Sequence, residues 1–289
     1  MSVRIWHLLE HLHRLAPAEL AETWDSIGLL LGDGNREAES VLVCLDVTLA
    51  ILKEAIARNC QAVISHHPPI FKPLARIDLS DPAGKILQTA IVHDIALIAC
   101  HTNLDSAEGG VSDALAGYLG LTGCRPLQAI AAHAGAGLGR IGHFSHPVAD
   151  EEFLSRVAAA TANPGLSMAG KMPKTINTVA LCGGSGSELA PLAQKLGADV
   201  YLSGEIKHST ARWAWESGFC VIDGGHYGTE RLAIDVLADW LRSLEGIIVH
   251  RAETEKSPFN LVRCLIPQPS SQGEKCEQTY RATGATPGT

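Results

Sequence analysis

The chain has 289 residues, a formal net charge of −8 and 46% hydrophobic residues, enough for one large core or two smaller ones. No run of Lys or Arg exceeds two residues, so the sequence does not predict general nucleic-acid binding. Its apolar stretches are too interrupted to span a bilayer, and the N-terminus lacks the hydrophobic segment of a signal peptide. The eight cysteines form no CxxC pair, which is typical of buried thiols in a reducing compartment. We therefore expect a globular, cytoplasmic protein.

The segment that begins at Ser40 and ends with "SHHPP" is typical of a βαβ unit. A short apolar run is followed by an amphipathic stretch that predicts a helix from about Thr48 to Arg58. A second apolar run then leads directly to His66 and His67. The two histidines are therefore expected at the carboxyl end of a strand.

The next segments repeat this order of strand, helix and polar strand end. The stretch "DPAGKILQTAIVHD" predicts a helix, and "IALIAC" predicts a strand that stops at His101, with Asp105 just beyond it. The segment "TVALCGGSGSELAPLAQKLGADVYLSGEIKH" predicts a further βαβ unit, followed by Glu205 and Lys207. The repeated order predicts two similar α/β lobes.

The segment "GFCVIDGGHYGTERLAIDVLADWLRSL" predicts a strand, a Gly-Gly turn and a long amphipathic helix. His226 lies in the turn, Thr229 is the predicted N-cap, and Glu230 is expected in the first turn of that helix. Another histidine and another carboxylate are thereby predicted beyond a strand end.

Ligands of open α/β sheets bind beyond the carboxyl ends of the strands, so these polar residues are expected to share one site. Adjacent imidazoles in an extended segment diverge, which suits two neighbouring metal ions. Three histidines and two carboxylates exceed the usual ligands of one catalytic zinc, and a carboxylate shared by two ions, assigned to Asp105, would account for the surplus. For any single histidine a structural role is the ordinary alternative. The predicted metal ligands are His66, His67, Asp105, His226 and Glu230.

Two glycine-rich motifs have competing interpretations. "GLGRIG" satisfies GxGxxG, but a strand is predicted to follow it, which favours a tight turn over a dinucleotide site. "CGGSGSE" follows a predicted strand and opens a predicted helix, so its backbone amides could hold an anion. The alternative for this motif is a tight turn with a serine cap.

The motifs "TWDSIGLLLG", "CLDVT", "SHHPPIF", "HTNLD", "GLGRIG" and "GGHYGTE" resemble those of the Nif-three-like dinuclear metal-centre family. Many members of that family carry the name GTP cyclohydrolase 1 type 2 homologue. The resemblance implies two interlinked α/β lobes, with the site between them at the strand C-terminal ends, and a toroidal homohexamer. It also implies that the five predicted ligands hold two divalent ions, which could be Zn, Fe, Mn, Co or Ni.

We therefore predict an α/β fold with three parts. The first lobe comprises residues 1–127 and 222–267, and the second comprises residues 128–221. Residues 268–289 are polar and lack hydrophobic periodicity, which predicts a disordered tail.

These features predict a metal-dependent hydrolase that acts on a nucleotide-like or other anionic substrate. His101 and Glu205 are the predicted proton carriers. Lys207, Arg140 or the turn over residues 183–187 would neutralise the substrate. The main alternative is a metal-delivery or regulatory protein that acts through partners without turnover, and a purely structural interaction module is a third. No membrane partner is expected.

Overall fold

Thirteen strands and ten α-helices are formed by residues 2–260, the part of the chain that this computed structural model describes. The strands are β1 (Val3–Arg4), β2 (Gly28–Leu31), β3 (Glu37–Ala38), β4 (Ser40–Cys44), β5 (Ala62–Ser65), β6 (Ala96–Ala99), β7 (Thr122–Ala129), β8 (Gly137–Ala149), β9 (Ser167–Ala169), β10 (Thr175–Cys182), β11 (Val200–Ser203), β12 (Cys220–Asp223) and β13 (Ile248–Arg251). The helices are α1 (Ile5–Leu15), α2 (Leu49–Ala57), α3 (Pro82–Val92), α4 (Thr102–Ser106), α5 (Val111–Leu119), α6 (Asp150–Thr161), α7 (Ala190–Lys195), α8 (His208–Ser217), α9 (His226–Glu230) and α10 (Ala233–Arg242). The predicted tail over residues 268–289 lies outside the described residues.

The first sheet has five strands in the order β13-β4-β5-β6-β2, all parallel except β2, which is antiparallel to β6. Alternate side chains of β4 point to opposite faces, as the strand geometry requires. Val41 and Val43 join the core that includes α1 and α10, whereas Leu42 joins the core that includes α2 and α3. Both faces are therefore covered, which explains why the central strands are apolar at almost every position.

The second sheet has six strands in the order β7-β8-β10-β11-β12-β9. Strands β10, β11 and β12 are parallel, and the flanking strands pair antiparallel. Phe153 and Val157 of α6 contribute to the core on one face, and Ala193 and Ala214 contribute to the core on the other. The mixed α/β class is confirmed, and the motif "GLGRIG" opens strand β8 rather than a helix.

Helix α5 connects the cores of the two sheets. Its first residue, Val111, packs into the core that contains α1 and α10, whereas Leu115 and Leu119 pack into the core of the second sheet. The helix ends at Gly120, whose φ of +82° is the left-handed conformation that glycine adopts without strain. A single short helix thus belongs to the hydrophobic cores of both sheets.

Arg140 of β8 is tied to the start of α5. Its side chain is buried, and its guanidinium makes a two-pronged pair with Asp113 at 2.7 and 2.8 Å. The same guanidinium donates to the carbonyl oxygens of Gly137, Gly139 and Ala107 at 2.7 to 2.8 Å. Because these bonds occupy the guanidinium inside the protein, the prediction that Arg140 neutralises a bound anion is wrong.

The segment after β12 differs from its prediction, because it forms two helices rather than one. Glu230 is the last residue of the short helix α9, not part of the first turn of a long one. Thr229 is not an N-cap, since its hydroxyl lies inside α9, 3.0 Å from the carbonyl oxygen of Gly225, and accepts the amide of Gly184 at 3.0 Å. These bonds anchor α9 to the loop that follows β10.

Two further observations concern the predicted class of protein. The described helices include none with the length and apolar character needed to span a bilayer. Among the described residues, six cysteines are free thiols. Cys124 lies on the surface, and the other five are buried, namely Cys44, Cys60, Cys100, Cys182 and Cys220. Burial raises the pKa of the Cys100 thiol to about 12, so this cysteine is an inert packing residue at neutral pH.

Replacing Arg140 by methionine is expected to lower the free energy of unfolding by about 3 kcal/mol, because the change leaves Asp113 and three carbonyl oxygens without their partner. Arg242→Met is the matched control. Arg242 pairs with Asp239 at 2.7 Å on the surface, and its loss is expected to cost less than about 1 kcal/mol. Urea unfolding followed by circular dichroism measures both values. Equal losses would show that the Arg140 network stabilises no more than a surface pair.

Candidate metal centre

Six titratable side chains converge from three strand ends. Strand β5 is followed at once by its two histidines, β6 leads through one histidine into α4, and β12 leads into α9. The six residues are His66, His67, His101, Asp105, His226 and Glu230, and they are called the six-residue cluster below. The first four follow strands of one sheet and the last two follow a strand of the other, so the cluster forms where the carboxyl ends of both sheets meet.

Every histidine of the cluster has its Nδ1 atom hydrogen-bonded to an oxygen on the side away from the cluster. The pairs are His66 with the carbonyl oxygen of Cys100 at 2.9 Å, His67 with Asp46 at 2.8 Å, His101 with Asp25 at 2.8 Å, and His226 with Glu205 at 3.1 Å. Because these oxygens only accept, each Nδ1 carries the proton and Nε2 of the neutral ring is a lone-pair donor. Metal-binding histidines are commonly oriented by such carboxylates and carbonyls.

The cluster contains three overlapping groups that could each hold a metal ion. In each group, one ligand atom per residue lies within 4.8 Å of the others. The groups are His66, Asp105 and Glu230; His67, His226 and Glu230; and His66, His67 and His101. Glu230 thus belongs to two groups and Asp105 to one, so the geometry favours Glu230 over Asp105 as the carboxylate shared by two ions.

Glu230 lies between the histidines of both sheets. Its Oε2 atom is 2.9 Å from Nε2 of His67 and 2.8 Å from Nε2 of His226, while Oε1 is 3.8 Å from Nε2 of His66. The Nε2 atoms of His67 and His226 are only 3.4 Å apart. Two lone pairs at that distance repel, so a proton or a metal cation is needed between these side chains.

Two polar atoms in the cluster are buried without a hydrogen-bond partner, namely Nε2 of His66 and Oδ1 of Asp105. They lie 3.5 Å apart. Buried polar atoms are almost always satisfied, so two orphaned acceptors side by side indicate a ligand that both can bind. Imidazole nitrogen and carboxylate oxygen suit divalent transition metals, and the residues present therefore fit such an ion.

The electrostatics of the cluster side chains point the same way. Burial lowers the pKa of His67, but its hydrogen bonds to Asp46 and Glu230 outweigh this and raise that pKa to about 10. Burial also acts to raise the pKa of Glu230, yet the neighbouring imidazoles of His226, His66 and His67 bring it well below its ordinary value. Burial raises the pKa of Asp105. The cluster thus attracts positive charge strongly, and a metal ion would replace protons there.

The structure brings together all five predicted metal ligands, and it adds His101 to them. Glu205, the second predicted proton carrier, contacts the outer nitrogen of His226 and is 57% exposed. Its position is that of a residue that orients His226.

Sequence reasoning gave no role to Asp25 or Asp46. Asp46 could have been found, because it lies two residues beyond the end of β4, whereas no strand end marks Asp25.

The turn after β10 is not a free anion-binding loop. Three of its amides already donate to hydroxyl groups: Gly183 to Ser112 at 3.4 Å, Gly184 to Thr229 at 3.0 Å, and Gly186 to Ser203 at 3.0 Å. Lys207 is close by, but its Nζ atom lies 3.4 Å from Glu188. The tight-turn alternative therefore describes this motif better than the anion site.

The six-residue cluster lies against a cavity of about 590 Å³. Its walls come from both sheets and include His67, His101, Asp105, His226 and Glu230. This volume is within the range of pockets that bind small molecules. The arrangement can therefore place a small molecule next to any ion that the cluster holds.

Comparison with known proteins gives relatives over almost the whole chain. A Streptomyces coelicolor protein named GTP cyclohydrolase 1 type 2 homolog is 32% identical over 283 residues, which cover 93% of this chain and 98% of that protein. NIF3-like protein 1 of Drosophila melanogaster is 32% identical over 259 residues, covering 87% of each chain.

Solved structures agree with these sequence matches. The crystal structure of Staphylococcus aureus protein SA1388 matches with a TM-score of 0.84 at 29% identity, over 90% of this chain and 99% of that chain. Reduced HcgD from Methanocaldococcus jannaschii matches with a TM-score of 0.74 at 28% identity, over 88% of this chain and 99% of that chain. The family model for Duf34/NIF3 (NGG1p interacting factor 3) matches residues 3–258. The resemblance seen in the sequence motifs is thus confirmed, and the chain belongs to the Duf34/NIF3 family.

Proposed function

We propose that the protein binds two divalent metal ions in the six-residue cluster and uses them to hydrolyse a small molecule held in the adjoining cavity. The observation that carries this proposal is the set of four histidines whose Nδ1 atoms are all held from outside, so that their Nε2 atoms face one shared space. The name GTP cyclohydrolase 1 type 2 homolog, borne by the Streptomyces coelicolor relative, supports a hydrolytic reaction.

The number of ions follows from how the ligands divide. His66 and Asp105 would hold one ion, and His67 and His226 would hold the other. Glu230 would contribute to both, because Oε1 is directed towards His66 and Oε2 contacts the second pair. The shared carboxylate proposed here is therefore Glu230, in place of the Asp105 expected from the sequence.

Bound in this cluster, two divalent ions would supply Lewis acidity and lower the pKa of a water molecule. The chain itself supplies a proton carrier, His101, whose Nδ1 is fixed by Asp25 and whose Nε2 is directed towards the cavity. The side chain of Asp25 is fully buried, and it also accepts a hydrogen bond from the backbone amide of Thr102 at 3.0 Å. Asp25 thereby holds the ring of His101 in one orientation for proton transfer at Nε2.

Three expectations from the sequence concern features beyond the site and remain proposals. The assembly proposed is a toroidal homohexamer, and the proposed location is the cytoplasm. The lobe boundaries at residues 127/128 and 221/222 stay predictions. In the structure, all strands of the second sheet fall between residues 122 and 223.

The metal-loaded protein is expected to release product from at least one member of a panel of nucleosides, nucleotides and simple phosphoesters. His101→Gln is expected to lower kcat about 100-fold or more while both ions stay bound, because the change removes the proton carrier but none of the five proposed metal ligands. Product is measured by chromatography and metal content by elemental analysis. No turnover with any compound, together with rapid metal transfer to an apo-acceptor, would support the metal-delivery alternative instead.

Glu230→Gln is expected to abolish binding of both ions, because the shared carboxylate contacts both halves of the cluster. Asp105→Asn is expected to weaken one ion and leave the other. The matched control is Glu188→Gln, which changes a carboxylate of the cavity wall that pairs with Lys207 and is not a proposed ligand, and it is expected to retain about two ions per chain. Elemental analysis of each protein after dialysis measures the ratio. Loss of both ions in Asp105→Asn alone would return the shared role to Asp105.

Gly184→Ala tests whether the loop after β10 shapes the site. A Cβ atom at Gly184 would lie 1.8 Å from Oε1 of Glu230, so alanine must displace that carboxylate, and metal binding is expected to be lost. Gly197→Ala is the matched control, because Gly197 also has a positive φ, of +83°, but no atom within 4 Å of an added Cβ. Both variants carry backbone strain of about 1–2 kcal/mol. Metal content measured for both separates the clash from the strain, and equal retention would contradict this account.

A further inference from the structure

Two large aromatic side chains are exposed on the wall of the cavity beside the six-residue cluster. Trp24 is 57% exposed and Phe71 is 43% exposed, although both line the cavity. Their ring centroids are 5.7 Å apart with planes inclined at 52°, and each centroid is 6.2 Å from that of His101. Both rings thus offer exposed apolar surface to a ligand close to His101, a histidine of the cluster.

Both aromatic residues are held in place by the same short segment. Trp24 precedes Asp25, whose carboxylate binds Nδ1 of His101 at 2.8 Å. The hydroxyl of Ser26 donates to the carbonyl oxygen of Phe71 at 3.2 Å. The backbone at both aromatic positions is therefore anchored relative to His101, which favours a binding surface that is formed before the ligand arrives.

The charge of the cavity wall excludes one class of ligand. The lining carries four carboxylates, those of Glu22, Asp105, Glu188 and Glu230, and no lysine or arginine is among the residues that line it. Lys207 pairs with Glu188 from outside the lining. A polyphosphate would therefore find no lysine or arginine among the lining residues, and it would meet Glu22 and Glu188, which lie outside the proposed metal ligands.

We infer, resting on the proposed function, that the cavity binds the flat ring of an uncharged or positively charged heteroaromatic molecule against Trp24 and Phe71. A nucleobase or nucleoside has this chemistry. Stacking on aromatic side chains needs a π-face and no basic residues, which matches the wall that this cavity offers. The inference replaces the anionic substrate expected from the sequence.

Calorimetric titration of the metal-loaded, full-length protein tests the inference with four probes: guanosine, 7-methylguanosine, GTP and inorganic triphosphate. Guanosine and the cationic 7-methylguanosine are expected to bind, GTP to bind no more tightly than guanosine, and triphosphate to bind more weakly than either nucleoside. Trp24→Leu is expected to raise the Kd for guanosine about tenfold, and Trp24→Phe to restore most of the affinity, because phenylalanine keeps an aromatic face.

The matched control is Trp215→Leu, since Trp215 is 68% exposed but does not line the cavity. Its Kd for guanosine is expected to equal that of the unchanged protein. The inference is overturned if triphosphate binds as tightly as GTP and Trp24→Leu leaves all four Kd values unchanged, because recognition would then reside in the phosphate groups.

The titrations and the product assay together separate this inference from the proposed function. Ring-dependent binding with no product from any compound would uphold the aromatic site and overturn hydrolysis. Conversely, turnover of a nucleoside or nucleotide with equal kcat and KM in the unchanged protein and in Trp24→Leu would uphold hydrolysis and overturn the aromatic site.

Discussion

Each cluster histidine presents Nε2 to the centre of the cluster because its Nδ1 is hydrogen-bonded to an oxygen on the opposite side of the ring. Three of these oxygens belong to carboxylates and one is the carbonyl oxygen of Cys100. Without them an imidazole could rotate or exchange tautomers, and its lone pair would not be aimed at a fixed point. The four oxygens that bind the Nδ1 atoms therefore determine where the Nε2 atoms point. The rest of the fold holds these oxygens and the histidines in fixed relative positions.

These relative positions have to be kept between two separate sheets, since His66 follows a strand of one sheet and Glu230 follows a strand of the other. Helix α5 packs into the cores of both, and Arg140 bonds the second sheet to the first turn of α5 through Asp113. Side-chain positions accurate to a few tenths of an ångström at the site depend on this packing, because close-packed interiors transmit small shifts. Residues far from the cluster can thus affect the metal binding proposed for it.

The sequence predicted the strand ends and five of the residues that meet in the cluster, because histidines and carboxylates after apolar runs are visible in one dimension. It could not identify Glu230 as the carboxylate that we propose to be shared, because this depends on distances between residues more than 100 positions apart, as with His67 and Glu230. The sequence also suggested that Arg140 could neutralise a substrate, whereas its side chain is buried and paired with the carboxylate of Asp113. The separate helix α9 was missed because its five residues carry no apolar repeat, and the hydrogen bond from the amide of Gly184 to the hydroxyl of Thr229 is long-range.

The segment around Asp25 joins two properties that are usually considered separately. Its carboxylate orients His101, and its neighbours Trp24 and Ser26 supply one aromatic wall and fix the other through the backbone of Phe71. A shift of this segment would therefore move Trp24 and the imidazole of His101 together. If the cavity binds a ring and His101 carries a proton, as proposed, the distance between the two depends on this one segment, and proton transfer depends on that distance. The proposed link between ligand position and proton transfer thus runs through Asp25 and its two neighbours.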